Sequence, residues 1–225
     1  MVLSVVILFC LWQIVQSKKI IQDSYSANIK AYAPQSADGD SLLELYAINE
    51  DAAAWIEMED ISEAIVQGKD NLEYINQNAL KEFSLSGALF MDSLNERDFS
   101  DAYTLVYGHS LYEGGKLSAL KYYGEEDYFF SHEKGTLYEI QIVQNQAQIQ
   151  KHGIKAYAFC KVQDDELIIY NTGYANANLE DLSCWIIAHA LILDQKNEGD
   201  KYLVLSTCAA QNSKERLVLV CTIEE

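Results

Sequence analysis

Apolar residues in this chain gather into short runs separated by polar turns, the rhythm of a protein built mainly from strands. The clearest runs lie near the C-terminus. Tyr202-Leu203-Val204-Leu205-Ser206-Thr207-Cys208 and Arg216-Leu217-Val218-Leu219-Val220 are rich in β-branched and apolar residues, with no helix breaker inside either. The segment between them, Ala209 to Glu215, is largely polar and short enough for an antiparallel hairpin. Further strands are predicted from Trp55 to Met58, Ala64 to Gln67, Ala88 to Met91 and Tyr103 to Tyr107. Gly135 to Ile142 alternates as a strand should, and Gly153 to Val162 and Leu167 to Tyr170 complete the set. Between the last two long strands, Gln144 to Gln150 alternates with Ala147 and Ile149 and reads as a surface strand or turn.

Helical patterns are fewer. Ser41 or Asp40 caps a helix through Leu42, Leu43, Leu45 and Tyr46. Tyr74 to Asn78 reads as a short helix, and Leu117 to Phe130 as a helical segment mixing aromatics and acids. The longest helix is predicted to start at Asn178, with Glu180 and Asp181 in a first turn whose dipole favours anions. Leu179, Leu182, Ile186, His189 and Leu193 recur at helical spacing, and Lys196 and Gly199 close the element.

The N-terminus breaks this rhythm. Val2 to Val15 is apolar except for Ser4 and Gln13, and is shorter than the about 20 residues that span a bilayer. Lys18 and Lys19 follow it while no basic residue precedes it, the reverse of a signal peptide. Such a run is either a buried helix of the domain or part of a membrane anchor whose basic start lies upstream of Met1; the second is the expectation carried forward. Residues 20–40, with Gly39 and the sole proline, Pro34, read as a polar spacer, leaving 41–225 as one domain.

Composition narrows the partners. A formal net charge of −18 argues against nucleic acid and against an anionic membrane surface as ligands. Five cysteines at irregular spacing, with no Cys-x-x-Cys pair, give neither a zinc pattern nor a disulfide framework. Glu125-Glu126-Asp127 lacks the spaced ligands of a calcium site and reads as a solvated face.

The candidate chemistry lies at the ends of strands. If the C-terminal hairpin pairs as predicted, Cys208 and Arg216 face each other at its open end. Cysteine attacks as thiolate, and a nearby cation favours that form. The alternative for the same residues is a small buried cysteine at a strand end and a solvated arginine. Upstream, Tyr103 to Tyr107 is a strand ending in Gly108-His109, which adds an imidazole. His132, His152 and His189 lie in settings that suggest no chemical role.

A strand ending in Gly-His, a long gap to Leu205-Ser206-Thr207-Cys208 and a strand led by Arg216 together resemble the sortase family, cysteine transpeptidases of Gram-positive cell surfaces. Ala64 to Gly68, Tyr74-Ile75-Asn76, Ser86 to Asp92 and Lys116 to Leu120 follow the family's order, and the long helix before the cysteine strand is similar to class B sortases, including those encoded with pilus genes. The resemblance covers residues 42–225. It implies a mainly β fold with added helices, a closed barrel of seven or eight strands with an N-terminal helix. It further implies a thioester on Cys208 formed from a Leu-Pro-x-Thr-Gly-like sorting signal and passed to an amine, either a pilin lysine or a peptidoglycan cross-bridge. His109 would be the general acid and base, Arg216 the oxyanion partner, and Ser206 and Thr207 contacts for the signal peptide. No metal or organic cofactor is implied, no nucleic acid partner, and the setting would be the cell membrane with the domain facing outward.

Several features depart from the family. Prolines common in the first two strands are missing, and Ala209 to Ser213 is neutral where an acidic residue often follows the cysteine. The Asp-Pro-aromatic lid of pilin sortases of another class is absent. Rival readings are an inactive sortase-like domain that binds pilins and an L,D-transpeptidase-like enzyme, whose Ser-His-Gly-Cys run the segment Leu205 to Cys208 does not match. A papain-like order, cysteine before histidine, does not hold either.

Overall fold

The computed structural model describes residues 6, 7, 9, 10, 12, 13, 29–34, 40–110, 115–208 and 213–224. Its frame is a set of nine strands: β1 (Ala52–Met58), β2 (Ile61–Val66), β3 (Leu89–Met91), β4 (Tyr103–Tyr107), β5 (Lys134–Val143), β6 (Gln146–Gln163), β7 (Ile192–Leu193), β8 (Tyr202–Cys208) and β9 (Glu215–Glu224). They lie in the order β5-β1-β2-β3-β4-β8-β9-β6-β7, and a further β5–β6 pairing closes the first eight into a barrel. β7 adds to β6 outside the closure. The expected barrel of seven or eight strands is therefore an eight-stranded one with an extra strand. Two neighbours, β2–β3 and β4–β8, are parallel; the other pairs are antiparallel.

Burial on both faces explains why the strands read as continuous apolar runs. Successive side chains point to opposite faces. In β8, Leu203 and Leu205 enter the barrel interior with Ile56, Ile65, Leu137 and Leu219, whereas Tyr202 and Val204 pack outward. The outward layer is covered by three short helices after β6: α3 (Leu167–Tyr170), α4 (Thr172–Ala177) and α5 (Leu179–His189). On another face, Trp55, Val66, Phe90 and Tyr138 are covered by α1 (Asp40–Ile48) and a 3-10 turn, Ile29–Tyr32. A 3-10 helix (Ser118–Gly124) and α2 (Glu126–Ser131) seal the interior with Leu120, Tyr123 and Phe129, in the segment predicted as helical.

Three local expectations are corrected. Leu167 to Tyr170 is one helical turn and not a strand: the Ile169 and Tyr170 N–H groups donate to the Glu166 carbonyl, and Asn171 Oδ1 then caps α4 through the Tyr174 N–H at 3.0 Å. Tyr74 to Asn78 is not helical, because its carbonyls are taken by distant donors, Tyr74 O by the Ala88 N–H and Asn76 O by the Ser84 N–H. The helix after Asn178 stops at His189, short of Gly199, because the Leu191 N–H bonds Phe159 O and the chain joins the sheet as β7. Asn178 holds the capping position, but its side chain donates to Tyr174 O and caps nothing.

At the N-terminus, Val6, Ile7, Phe9 and Trp12 are about half-exposed and do not join the core. No helix among the described residues is long and apolar enough to cross a membrane. Within the stretch read as a spacer, Ile29 is 2% exposed and packs with Leu42 and Leu45.

Candidate active site

The hairpin forms as its two apolar runs predict. β8 and β9 pair antiparallel from Tyr202↔Thr222 to Cys208↔Arg216, so the thiol-bearing and guanidinium-bearing residues are cross-strand partners at the end of the ladder. The Cys208 side chain and residues 209–212 lie outside the described residues. β4 runs parallel beside β8, with Tyr107 opposite Ser206, and the Gly108 N–H extends this pairing to Ser206 O at 3.1 Å. His109 is thereby delivered to the same barrel end as Cys208 and Arg216.

A cleft of about 460 Å³ opens at this end. Four of the sequence-predicted residues line it: His109, Ser206, Thr207 and Arg216. Asn71, Ile75, Phe90, Tyr107, Asp164 and Tyr170 also line it and were not singled out for the site from sequence.

The His109 ring is oriented by a backbone group. Its Nε2 lies 3.0 Å from Ile75 O. A carbonyl oxygen only accepts, so Nε2 carries a proton in either charge state, leaving Nδ1 to exchange one. The loop supplying that carbonyl comes close because Gly87, at φ +58°, has no side chain. A Cβ there would stand 2.6 Å from Ile75 O and 2.7 Å from Tyr74 O. From the other side, the Leu117 N–H bonds His109 O at 3.3 Å.

Arg216 is held at its base. Nη1 donates to Ser213 O at 2.5 Å and to Glu215 O at 3.4 Å, and Nη2 lies 3.4 Å from Asp164 Oδ2. Its side chain is 23% exposed, so the charge stays accessible to a ligand in the cleft.

The wall opposite is aromatic and polar. Phe90, Tyr107 and Tyr170 form a stack with centroids 5.3 and 6.4 Å apart. The Tyr107 hydroxyl donates to Asp92 Oδ2 at 2.9 Å, and Asn71 Nδ2 donates to the same oxygen at 2.8 Å. Burial first, then the Asp92 charge, holds the Tyr107 phenol well above its ordinary range, so it remains a donor. Ser206 Oγ and the Tyr170 hydroxyl share a 2.9 Å hydrogen bond, fixing Ser206 to the wall. Thr207 Oγ1 is buried with no partner among the described residues, a group that a bound peptide could satisfy.

The other histidines sit elsewhere. His132 stacks on Tyr128, and His189 on Trp185. His152 pairs with the buried Glu139 at 2.7 Å.

Chemically, the cleft combines an oriented imidazole, a guanidinium and a strand-end cysteine position beside a wall of aromatic rings and polar groups. No family model matches the chain. The chain is 31% identical over 137 residues to Sortase B of Listeria monocytogenes, a stretch that spans 56% of this chain and 56% of that protein. Among solved structures, a mutant form of Clostridium perfringens sortase B superposes with a TM-score of 0.75 at 25% identity, covering 88% of this chain and 96% of the other. A Streptococcus pyogenes class B sortase involved in pilus biogenesis gives a TM-score of 0.70 at 25% identity, over 81% of this chain and 97% of that one.

Proposed function

We propose that this chain is a class B sortase, a cysteine transpeptidase acting on a Leu-Pro-x-Thr-Gly-like sorting signal. The observation that carries the reading is the direct pairing of Cys208 with Arg216 at the barrel end where His109 lines the cleft. The Cys208 thiolate attacks the carbonyl carbon of a Thr–Gly-type bond, and the electron pair moves onto oxygen. Arg216 offers a fixed positive charge to that oxyanion, where preorganised donors are worth most. Protonated His109 then gives its Nδ1 proton to the departing amine as the C–N bond breaks, leaving a thioester on Cys208. An incoming amine attacks the thioester, neutral His109 takes its proton at Nδ1, and the thiolate leaves. With Nε2–H on Ile75 O, the same Nδ1 serves both halves without a turn of the ring. Ser206 and Thr207 border the signal peptide. The amine is a pilin lysine or a peptidoglycan cross-bridge, and this reading puts the domain on the outer side of the cell membrane, with residues 1–19 as part of an anchor.

Mass spectrometry of the protein incubated with a signal peptide tests this reading. A covalent adduct on Cys208, released by an added amine and absent in Cys208→Ala, is the expected result. An adduct-free protein that still binds the peptide would favour a binding domain without transfer activity.

A further inference from the structure

The segment after the cysteine, Ala209 to Ser213, carries no acidic residue, yet the cleft contains a carboxylate from another element. Asp164 follows β6, the strand paired with β9 so that Val162 faces Arg216 and Gln163 faces Glu215. The Asp164 N–H donates to Lys214 O at 2.8 Å, which continues the ladder past Gln163 and pins Asp164 beside the start of β9. Its side chain lines the cleft, with Oδ2 3.4 Å from Arg216 Nη2. Ser213 O and Glu215 O occupy Nη1. Among the described residues the Arg216 Nε–H and the second Nη2–H have no hydrogen-bond partner.

We infer that Asp164 is the positioning residue for Arg216, holding the guanidinium so that it faces the developing oxyanion. This rests on the transpeptidase reading above. An arginine on a flexible stem acts as a preorganised donor only if something fixes its plane. The pair is 23% and 36% exposed, and a screened, partly exposed ion pair adds little to stability. Its consequence is orientation.

The chain has only two arginines, Arg97 and Arg216, so the Arg216 Nε–H resonance is readily assigned. Two readouts on Asp164→Asn in the full chain test the inference. The expected results are a lower order parameter for the Arg216 Nε–H, an unchanged melting temperature, and a kcat reduced about tenfold or more with KM held within about twofold. Asp164→Glu should recover part of the rate. In an Arg216→Lys background, Asp164→Asn should cost nothing further, because the group it orients is gone. Unchanged kcat and unchanged Nε–H order in Asp164→Asn would overturn the inference, as would fully additive losses with Arg216→Lys. If the unmodified protein transfers no peptide, the transpeptidase reading fails, and Nε–H order alone decides the positioning role.

Discussion

His109 shows how little freedom one side chain retains in this cleft. The Ile75 carbonyl fixes which nitrogen is protonated, and that carbonyl lies where it does because Gly87 adopts a left-handed φ and leaves no Cβ in its path. Gly87→Ala should therefore cost roughly 1–3 kcal/mol in a denaturant titration, from backbone strain and the forced retreat of residues 74 and 75. It should also shift the His109 ring resonances. A variant of wild-type stability with unmoved His109 signals would remove Gly87 from this account. Cysteine reactivity separates equally clearly. Burial pushes the Cys160 and Cys221 thiols up to about 12, so in the native protein at pH 8 both should resist iodoacetamide while the exposed Cys184 reacts. Peptide mapping before and after denaturation reads this directly.

At the level of elements, the segment after His109 is tied to the barrel by a buried ion pair. Lys116 Nζ lies 2.8 Å from Glu63 Oε2 on β2, with side chains 5% and 14% exposed. Breaking such a pair leaves one charge buried without compensation, so Glu63→Ala should lose about 3–5 kcal/mol of stability. Replacing both residues, as in Glu63→Leu with Lys116→Met, should restore most of it, because the desolvation cost of both charges disappears together. Urea unfolding at matched m-values decides between these outcomes. A double variant as unstable as the single one would mean that the pair contributes more than its own desolvation. The same segment bonds His109 O through the Leu117 N–H, so a loosened Lys116 should also be felt in the cleft.

For the molecule as a whole, the packed core reaches into the stretch that reads as a spacer. Ile29 is buried against α1, whereas the described residues before it are exposed. Deleting residues 1–28 should leave the melting temperature unchanged. Deleting residues 1–40 should lower it, because removing a buried isoleucine costs about 2–5 kcal/mol. Circular dichroism melts of the two truncations compare them. The pH dependence of stability has a definite sign at the alkaline end. Cys160 and Cys221 keep their protons in the folded state up to about 12, while in the unfolded chain thiols ionise near 9.0. The unfolded state therefore binds fewer protons once pH passes the unfolded value. Their contribution is fully present below about pH 8 and is lost as pH rises toward 12. The urea midpoint should fall steadily between pH 8.5 and 11, and a flat profile would contradict the burial of both thiols.

Some of this was legible in the amino-acid order because the forces responsible are local. Short apolar runs bounded by polar turns specified strands, and two of them flanking a brief segment specified the hairpin and with it the Cys208–Arg216 register. Helix-forming residues between Leu117 and Phe130 likewise announced themselves. Four-residue runs did not: Leu167 to Tyr170 is apolar enough for strand or helix, and the Glu166 carbonyl that takes the Ile169 and Tyr170 N–H groups, together with the burial of Ile169 among the outer core, decided for the helix. Tyr74 to Asn78 has a helical pattern whose carbonyls were claimed by residues 84 and 88, partners that only a folded loop supplies. The cleft wall is more remote still. Asn71, Phe90 and the Asp164–Tyr170 segment come from three separate parts of the chain, and closure of the barrel through β5–β6 and β6–β9 brings them together. Pairing across such sequence distances leaves no periodicity to read, since each residue's local pattern is the same whether its partner is near or absent. Cys208, His109 and Arg216 were therefore legible in the sequence as candidates, each at the end of a predicted strand, and the environment that surrounds them was decided by the tertiary structure alone.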